Sequence, residues 1–356
     1  MDVVEQRANY QFDNDYTVNI WLQKLEPYFD DPAVTEIRFN KPGQVVCQTH
    51  GGKQFHDRPD CDEKYLMGLR SALIHYNRLT DKPTVNVELP NGSRGVICIP
   101  PACISGSFLV AFRKHSLVVK PLEQLELEGA FEDCHNVSFN QPSESEVSEY
   151  MQRRDFMRLD QDDADLLALL RENKIMEFMR HAVLTKRNIV IAGKTASGKT
   201  TFNRSLLLEV PRYERVGTIQ DVHELFLHED QQEEYHLLYG RDEGRMSVSE
   251  CLEACMRLSP DRIFLAELRD GAALEYLESL NNGHPGSITT THASGAIGTF
   301  NRLVTLIRKS ESGRLMDIQD IRRELYTTID ITIFMKNRKI KEIFFDPIFK
   351  RKYLSE

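Results

Sequence analysis

The stretch Asn188-Ile-Val-Ile-Ala-Gly-Lys-Thr-Ala-Ser-Gly-Lys-Thr-Thr201 limits the fold more than any other part of the chain. Its first half is an apolar run of strand length, and TTFNRSLLLEV after it has the apolar spacing of a helix. Between the two, Gly193 to Thr200 fits G-x-x-x-x-G-K-[ST]. Glycines at both ends let the backbone curl so that successive N–H groups face a phosphate, and the following helix adds its positive N-terminus. In such a loop Lys199 reaches the β- and γ-phosphates and the Thr200 hydroxyl ligates Mg²⁺. Lys194 sits in the variable part of the pattern, so Lys199 is the motif lysine. Gly193, Lys194, Thr195, Ala196, Ser197, Gly198, Lys199, Thr200 and Thr201 are the expected nucleotide-binding residues.

The surroundings repeat the same rhythm. From residue 151 onward, ADLLALLRENKIMEFMRHAVLTK reads as one amphipathic helix, RVGTIQD as a strand and VSECLEACMRL as a helix. DRIFLAE is an apolar strand, GAALEYLESLNNG a helix and SITTTHA a strand. Strands alternating with helices call for a mostly parallel sheet covered on both faces, whose ligands bind beyond the strands' carboxyl ends. Three segments supply polar groups there. Glu267 closes the DRIFLAE strand and is a candidate Mg²⁺ ligand. Asp221 and Glu224, in QDVHE after RVGTIQ, are candidates to polarise the attacking water. His284, in NNGHPGS, is a candidate reporter of the γ-phosphate.

The first part of the chain differs. Residues 15–115 alternate strand-like runs (TEIRFN, VNVEL, GVICIP, FLVAFRK) with the turn sequences NKPG, PNGSR and SGS, around one helical segment, KYLMGLRSALIHYNRL. The expected division is an α+β domain over 1–115, an acidic connector over 116–150 and an α/β nucleotide-binding domain over 151–356. No apolar run approaches the roughly 18–20 residues needed to cross a bilayer. Nor does the first stretch, MDVVEQRANYQFDND, read as a secretory signal, so a cytoplasmic location is expected. The seven cysteines contain no CxxC pair, so reduced structural thiols are expected, with Cys251 and Cys255 sharing a helix face. A net charge of −9 argues against direct contact with nucleic acid.

Taken in order, the phosphate loop, QDVHEL, LSPDRIFLAELRDGAA and NNGHPGSITTTHA resemble the Walker A, Asp box, Walker B and His box of the secretion ATPase superfamily. The most similar branch is the hexameric traffic ATPase of type IV (conjugative) secretion systems. PAVTEIRFNKPGQV at 32–45 and SRGVICIPPACISGSFLVAFRK at 93–114 are similar to that branch's N-terminal domain.

The resemblance implies an α/β fold: a C-terminal RecA-like P-loop domain with a mostly parallel sheet, plus a smaller N-terminal α+β domain. It implies a cytoplasmic, ring-forming homo-oligomer, a hexamer, that hydrolyses ATP with Mg²⁺ and works with inner-membrane components of the secretion apparatus. No covalent membrane anchor is implied. Carried over residue by residue, Lys199 and Thr200 take the phosphate and Mg²⁺ roles, Glu267 is the Walker B acid and Glu224 activates water. His284 couples nucleotide state to shape, and Arg94 and Arg113 neutralise γ-phosphate charge from the N-terminal domain. Either Arg257 or Arg269 completes the site.

Five positions depart from the family pattern. Gln220 stands where an acid opens the Asp box, Lys194 and Ala196 replace loop glycines, Ala266 replaces the glycine before Glu267, and Asp270 falls where glycine is common. Two alternatives follow: a pilus or type II secretion motor of the same superfamily, or a nucleotide-gated scaffold with little turnover.

Overall fold

A computed structural model describes residues 15–354 except 50, 115–118 and 241–244. The chain divides into two compact units, residues 1–117 and 118–356.

The first unit is a six-stranded antiparallel sheet in the order β3-β2-β1-β6-β5-β4. Its strands are β1 (Val34–Phe39), β2 (Gln44–Thr49), β3 (Gly52–Asp57), β4 (Thr84–Glu88), β5 (Arg94–Cys98) and β6 (Leu109–Arg113). A helix over Glu63–Tyr76 starts at Asp62, whose carboxylate accepts from the Tyr65 amide at 2.8 Å. That bond satisfies one of the donors a helix start leaves open. Leu66, Leu69 and Leu73 recur at helical spacing and are buried with Ile37, Phe39, Ile97 and Phe112 in one core. β1, β4, β5, β6 and the helix are where the sequence pattern puts them. β2 and β3 carry too little alternation to announce themselves: most of β3 is exposed at the sheet edge.

The second unit is built on an eight-stranded sheet in the order β10-β9-β11-β12-β8-β13-β14-β7. These are β7 (His135–Asn136), β8 (Ile189–Gly193), β9 (Arg215–Gln220), β10 (Glu233–Leu238), β11 (Arg262–Leu265), β12 (Ile288–Thr291), β13 (Ile331–Lys336) and β14 (Lys339–Phe345). The run from β10 to β13 is parallel throughout; β14 turns back, antiparallel to β13, and β7 lies parallel to β14. Along β8, Ile189 and Ile191 belong to one core cluster and Val190 to another, one cluster on each face. A strand buried on both faces needs an unbroken apolar run, which is what IVIA supplies. Cys251 and Cys255 are both buried in the second cluster, on one face of the helix Val248–Leu258.

Two expectations need correction. The single helix read across 164–186 is two, Gln161–Arg171 and Ile175–Leu184. Asn173 takes a φ of +55° between them, and the Lys174 and Asn173 amides donate to the carbonyls of Leu169 and Leu170. Asparagine tolerates that left-handed turn, which closes the first helix and redirects the chain. Of the connector expected over 116–150, residues 119–150 are part of the second unit: Leu122, Leu125, Ala130, Phe131 and Val147 are buried in its first core cluster. The acidic residues that suggested a linker lie on the exposed sides of the short helices Leu122–Leu127 and Glu144–Gln152.

Candidate functional site

β8 ends at Gly193, the loop runs over 194–198, and the helix Lys199–Leu207 follows at once. A β-carbon on Gly193 would stand 2.4 Å from Ser197 Oγ and 2.6 Å from the Met335 carbonyl oxygen, so no other residue fits that corner. Ala196 adopts a φ of +61°. The alanine therefore keeps the left-handed turn a glycine would make, at the steric cost of a side chain in that region. Lys194, Thr195 and Ala196 are exposed, while Ser197 and Lys199 are buried. Arg338, in the turn between β13 and β14, donates its amide to the Ser197 carbonyl at 2.9 Å and props the loop from beneath.

Lys199 is only 8 % exposed, and its ammonium donates to the carbonyls of Gly193 (3.0 Å) and Lys194 (3.2 Å). Burial holds its pKa below the ordinary lysine range, partly opposed by the Glu267 carboxylate and reinforced by Arg269. The buried Ser197 Oγ has no hydrogen-bond partner in the protein. A curled loop with an unsatisfied hydroxyl and an ammonium held only by carbonyls fits a polyphosphate. Thr200 and Thr201, half-buried, occupy the next two positions of the helix.

The parallel strands bring the acids to the same edge. Just past β11, Glu267 accepts from Arg269 at 2.8 Å and stands 2.9 Å from His292 Nε2. Arg269 also donates to Asp221, just past β9, at 3.1 Å. His292, just past β12, sets its Nδ1 3.0 Å from the Gly193 carbonyl. Four strand ends thus converge: Gly193 and Lys199 from β8, Asp221 from β9, Glu267 and Arg269 from β11, and His292 from β12. Glu224 joins through its backbone, its carbonyl accepting from Arg204 of the loop's own helix.

Arg269 rather than Arg257 belongs to this cluster; Arg257 is exposed and pairs with Glu253 one turn earlier. His284 does not. Its Nδ1 faces the Pro260 carbonyl at 2.7 Å, beyond the amino ends of β11 and β12, whereas the loop lies beyond the carboxyl ends. Ile288 aligns with Ile189 and Thr291 with Ala192, so a strand length, about 13 Å, separates His284 from the loop. The histidine within reach is His292, in the stretch TTTHA, which nothing in the local pattern distinguishes from a surface residue. Two departures are explained locally. Ala266 is buried, donating to Ile219 and accepting from the Thr290 hydroxyl. Asp270 accepts from the Ala272 amide ahead of the helix Ala273–Asn281.

Arg94 and Arg113 belong to the first unit, directly opposite each other on β5 and β6. Glu88 faces Arg94 on one side and Glu36 faces Arg113 on the other, making a row of acid, base, base, acid across four strands.

Strand, glycine-bounded loop and helix in a parallel sheet, with a buried lysine and convergent carboxylates, define a P-loop nucleoside triphosphatase. The family model described as "Type II/IV secretion system protein" matches residues 151–333. A type IV secretion system protein VirB11 of Brucella suis is 34 % identical over 350 residues, covering 94 % of this chain and 92 % of its own. The VirB11 of Bartonella quintana is 36 % identical over 348 residues, covering 94 % and 95 %. The crystal structure of the Brucella suis VirB11 ATPase in complex with sulphate matches with a TM-score of 0.53 at 33 % identity, covering 96 % of this chain and 98 % of that one. The chain belongs to the type II/IV secretion ATPase family, and it is a nucleotide-binding ATPase of the type IV secretion kind. Among the described residues no helix is long and apolar enough to cross a membrane.

Proposed function

We propose that the convergent edge of the second sheet is where ATP is bound and cleaved, with the loop amides and Lys199 holding the β- and γ-phosphates. The observation that carries this is the meeting of Lys199, Glu267, Asp221 and His292, from four strands, on one loop. Thr200 and Glu267 are the residues that would hold Mg²⁺. Among the described residues no cluster of three His, Cys, Asp or Glu could hold a metal ion, so an ion here would rely on the nucleotide's own oxygens. Bound there, Mg²⁺ would neutralise charge on the transferred phosphate.

This chain's own groups divide the remaining work. Lys199 stabilises negative charge as it develops on the phosphate oxygens. Asp221 and Glu224 are the carboxylates proposed to accept a proton from water as it attacks the γ-phosphate. Arg269, paired to both Asp221 and Glu267, fixes two acids relative to each other. His292 ties Glu267 to the loop and takes the reporting role expected of His284. Arg94 and Arg113 are proposed to contribute positive charge to turnover, a role that rests on the family resemblance.

At the level of the assembly, the reading is a ring-forming homo-oligomer, a hexamer, in the cytoplasm at the inner membrane. Its partners would be inner-membrane components of the type IV apparatus, met through protein contacts. Glu267→Gln tests the site. It is expected to lower kcat for ATP by about 10²–10⁴-fold with nucleotide binding retained. Wild-type turnover in that variant would remove Glu267 from the site.

A further inference from the structure

Gln220 is wholly buried at the carboxyl end of β9, where the family pattern has an acid. Its Oε1 lies 2.8 Å from the amides of both Glu224 and Leu225. Two backbone donors require that end of the amide to be the oxygen, so the orientation is fixed. Nε2 then donates to Thr218 Oγ1 at 2.9 Å. Thr218 is itself fully buried, and its oxygen lies 2.7 Å from His236 Nδ1 across the β9–β10 register. The hydroxyl has one proton, already accepts from Gln220, and has the imidazole nitrogen as its acceptor. A buried hydroxyl without an acceptor is costly, so Thr218 donates and Nδ1 carries no proton. The ring proton is then on Nε2, which faces Glu234 at 3.6 Å.

We propose that Gln220 is a positioning residue for the Asp box: a one-way relay, Gln220 to Thr218 to His236, holds the Glu224 backbone in place and locks His236 in the Nε2–H tautomer. This rests on the reading above that the 221–224 loop serves ATP cleavage. Arg204 donates to the Glu224 carbonyl while Gln220 accepts from the Leu225 amide, so the peptide joining Glu224 and Leu225 is fixed from both sides. His223 of the same loop packs at a tilt against the His236 ring, with centroids 4.4 Å apart, so the locked ring also braces the loop from the β10 side. A glutamate at 220 would still accept from both amides but would have no proton to give. Thr218 would then turn its proton to the carboxylate, and His236 would have to donate from Nδ1. The substitution keeps the clamp and reverses the relay.

The test uses the full chain with ¹⁵N-labelled histidine imidazoles, His236→Gln identifying the His236 signals. Wild type is expected to show Nδ1 bare and Nε2 protonated, and Gln220→Glu is expected to move the proton to Nδ1. In parallel, Gln220→Leu is expected to lower kcat for ATP by about tenfold to a hundredfold, the scale of a misplaced catalytic group, with KM little changed. Gln220→Glu should restore most of that loss. A wild-type proton on Nδ1, or an unmoved proton in Gln220→Glu, overturns the relay whatever the turnover. Normal kcat in folded Gln220→Leu overturns the positioning role. Should Gln220→Leu not fold, Thr218→Val decides: loss of the Nε2–H preference supports the relay and its retention overturns it. Full turnover in an Asp221→Asn/Glu224→Gln double variant would instead overturn the catalytic reading of the loop, leaving the tautomer alone to decide the relay.

Discussion

Arg262 is the largest buried charge at the start of the Walker B strand, and removing it gives a prediction with a magnitude. The side chain is fully buried and makes a two-point contact with Glu214, itself 4 % exposed. Its remaining nitrogen donates to the carbonyls of Val183 (2.7 Å) and Gly286 (3.3 Å). One guanidinium therefore ties together the starts of β9 and β11, the end of the helix Ile175–Leu184 and the turn before β12. In Arg262→Met, the Glu214 carboxylate is left with Lys186, at 3.5 Å, among the described residues. Breaking one side of a buried pair costs about 3–5 kcal/mol, because the partner's charge stays buried. For a unit of this size each kcal/mol lowers Tm by about 2–4 °C, so the expected drop is about 6–20 °C. Thermal unfolding by circular dichroism or calorimetry, with and without ATP, reads it directly.

A second variant isolates the cause. Arg262→Met with Glu214→Leu removes both charges and should recover most of the loss, since an apolar pair of similar volume is often no worse than the ion pair. Because the pair lies at the edge of the sheet opposite the loop, folded Arg262→Met should keep its KM for ATP at a temperature below its transition. A Tm change under about 2 °C in the single variant, or a double variant less stable than the single, would refute the reasoning.

Two further predictions concern nucleotide binding and turnover. Burial lowers the Lys199 pKa, so without nucleotide its ammonium loses its proton at a lower pH than an ordinary lysine. That lowers the protons bound by the folded state and raises apo stability as pH rises through this window; polyphosphate favours the charged form and reverses the effect. ATP binding should therefore take up protons, and weaken, at alkaline pH; calorimetry at about pH 9.5 in two buffers of different ionisation enthalpy measures this, and zero uptake would contradict it. In the first unit, Arg113→Ala is expected to lower kcat by about 10³-fold or more if the arginine neutralises phosphate charge, and unchanged kinetics would leave the Arg94–Arg113 row a structural feature.

The parts legible in the sequence are those decided locally. A strand, loop and helix lie within 20 residues at 188–207, and the acids Asp221 and Glu267 come within two residues of strand ends, so a parallel sheet alone carries them to one edge. What depends on distant contacts was not legible. His284 and His292 stand eight residues apart in the same polar stretch, and only the register of β12 against β8 decides which end of the sheet each occupies. Gln220 looks like a lost acid until its two amide donors are seen. The β13–β14 hairpin turns through Asn337 and Arg338, both with positive φ and neither a glycine, so it lacks the usual turn signal while supporting the loop. Residues 122–147 place few apolar side chains among many acids, and their burial follows from the sheet and helices they cover.

Steady-state ATP hydrolysis by the purified protein with Mg²⁺, beside a Lys199→Ala control, bears most directly on the central claim. Turnover that disappears in a folded Lys199→Ala is the predicted result, and it would show that a loop with Ala196 and Lys194 in place of glycines still works. Equal turnover in the two proteins would contradict the assignment of Lys199 and of the whole strand-end site. Binding of ATP by wild type with no hydrolysis, alone or with its membrane partners, would contradict the motor and leave a nucleotide-gated scaffold.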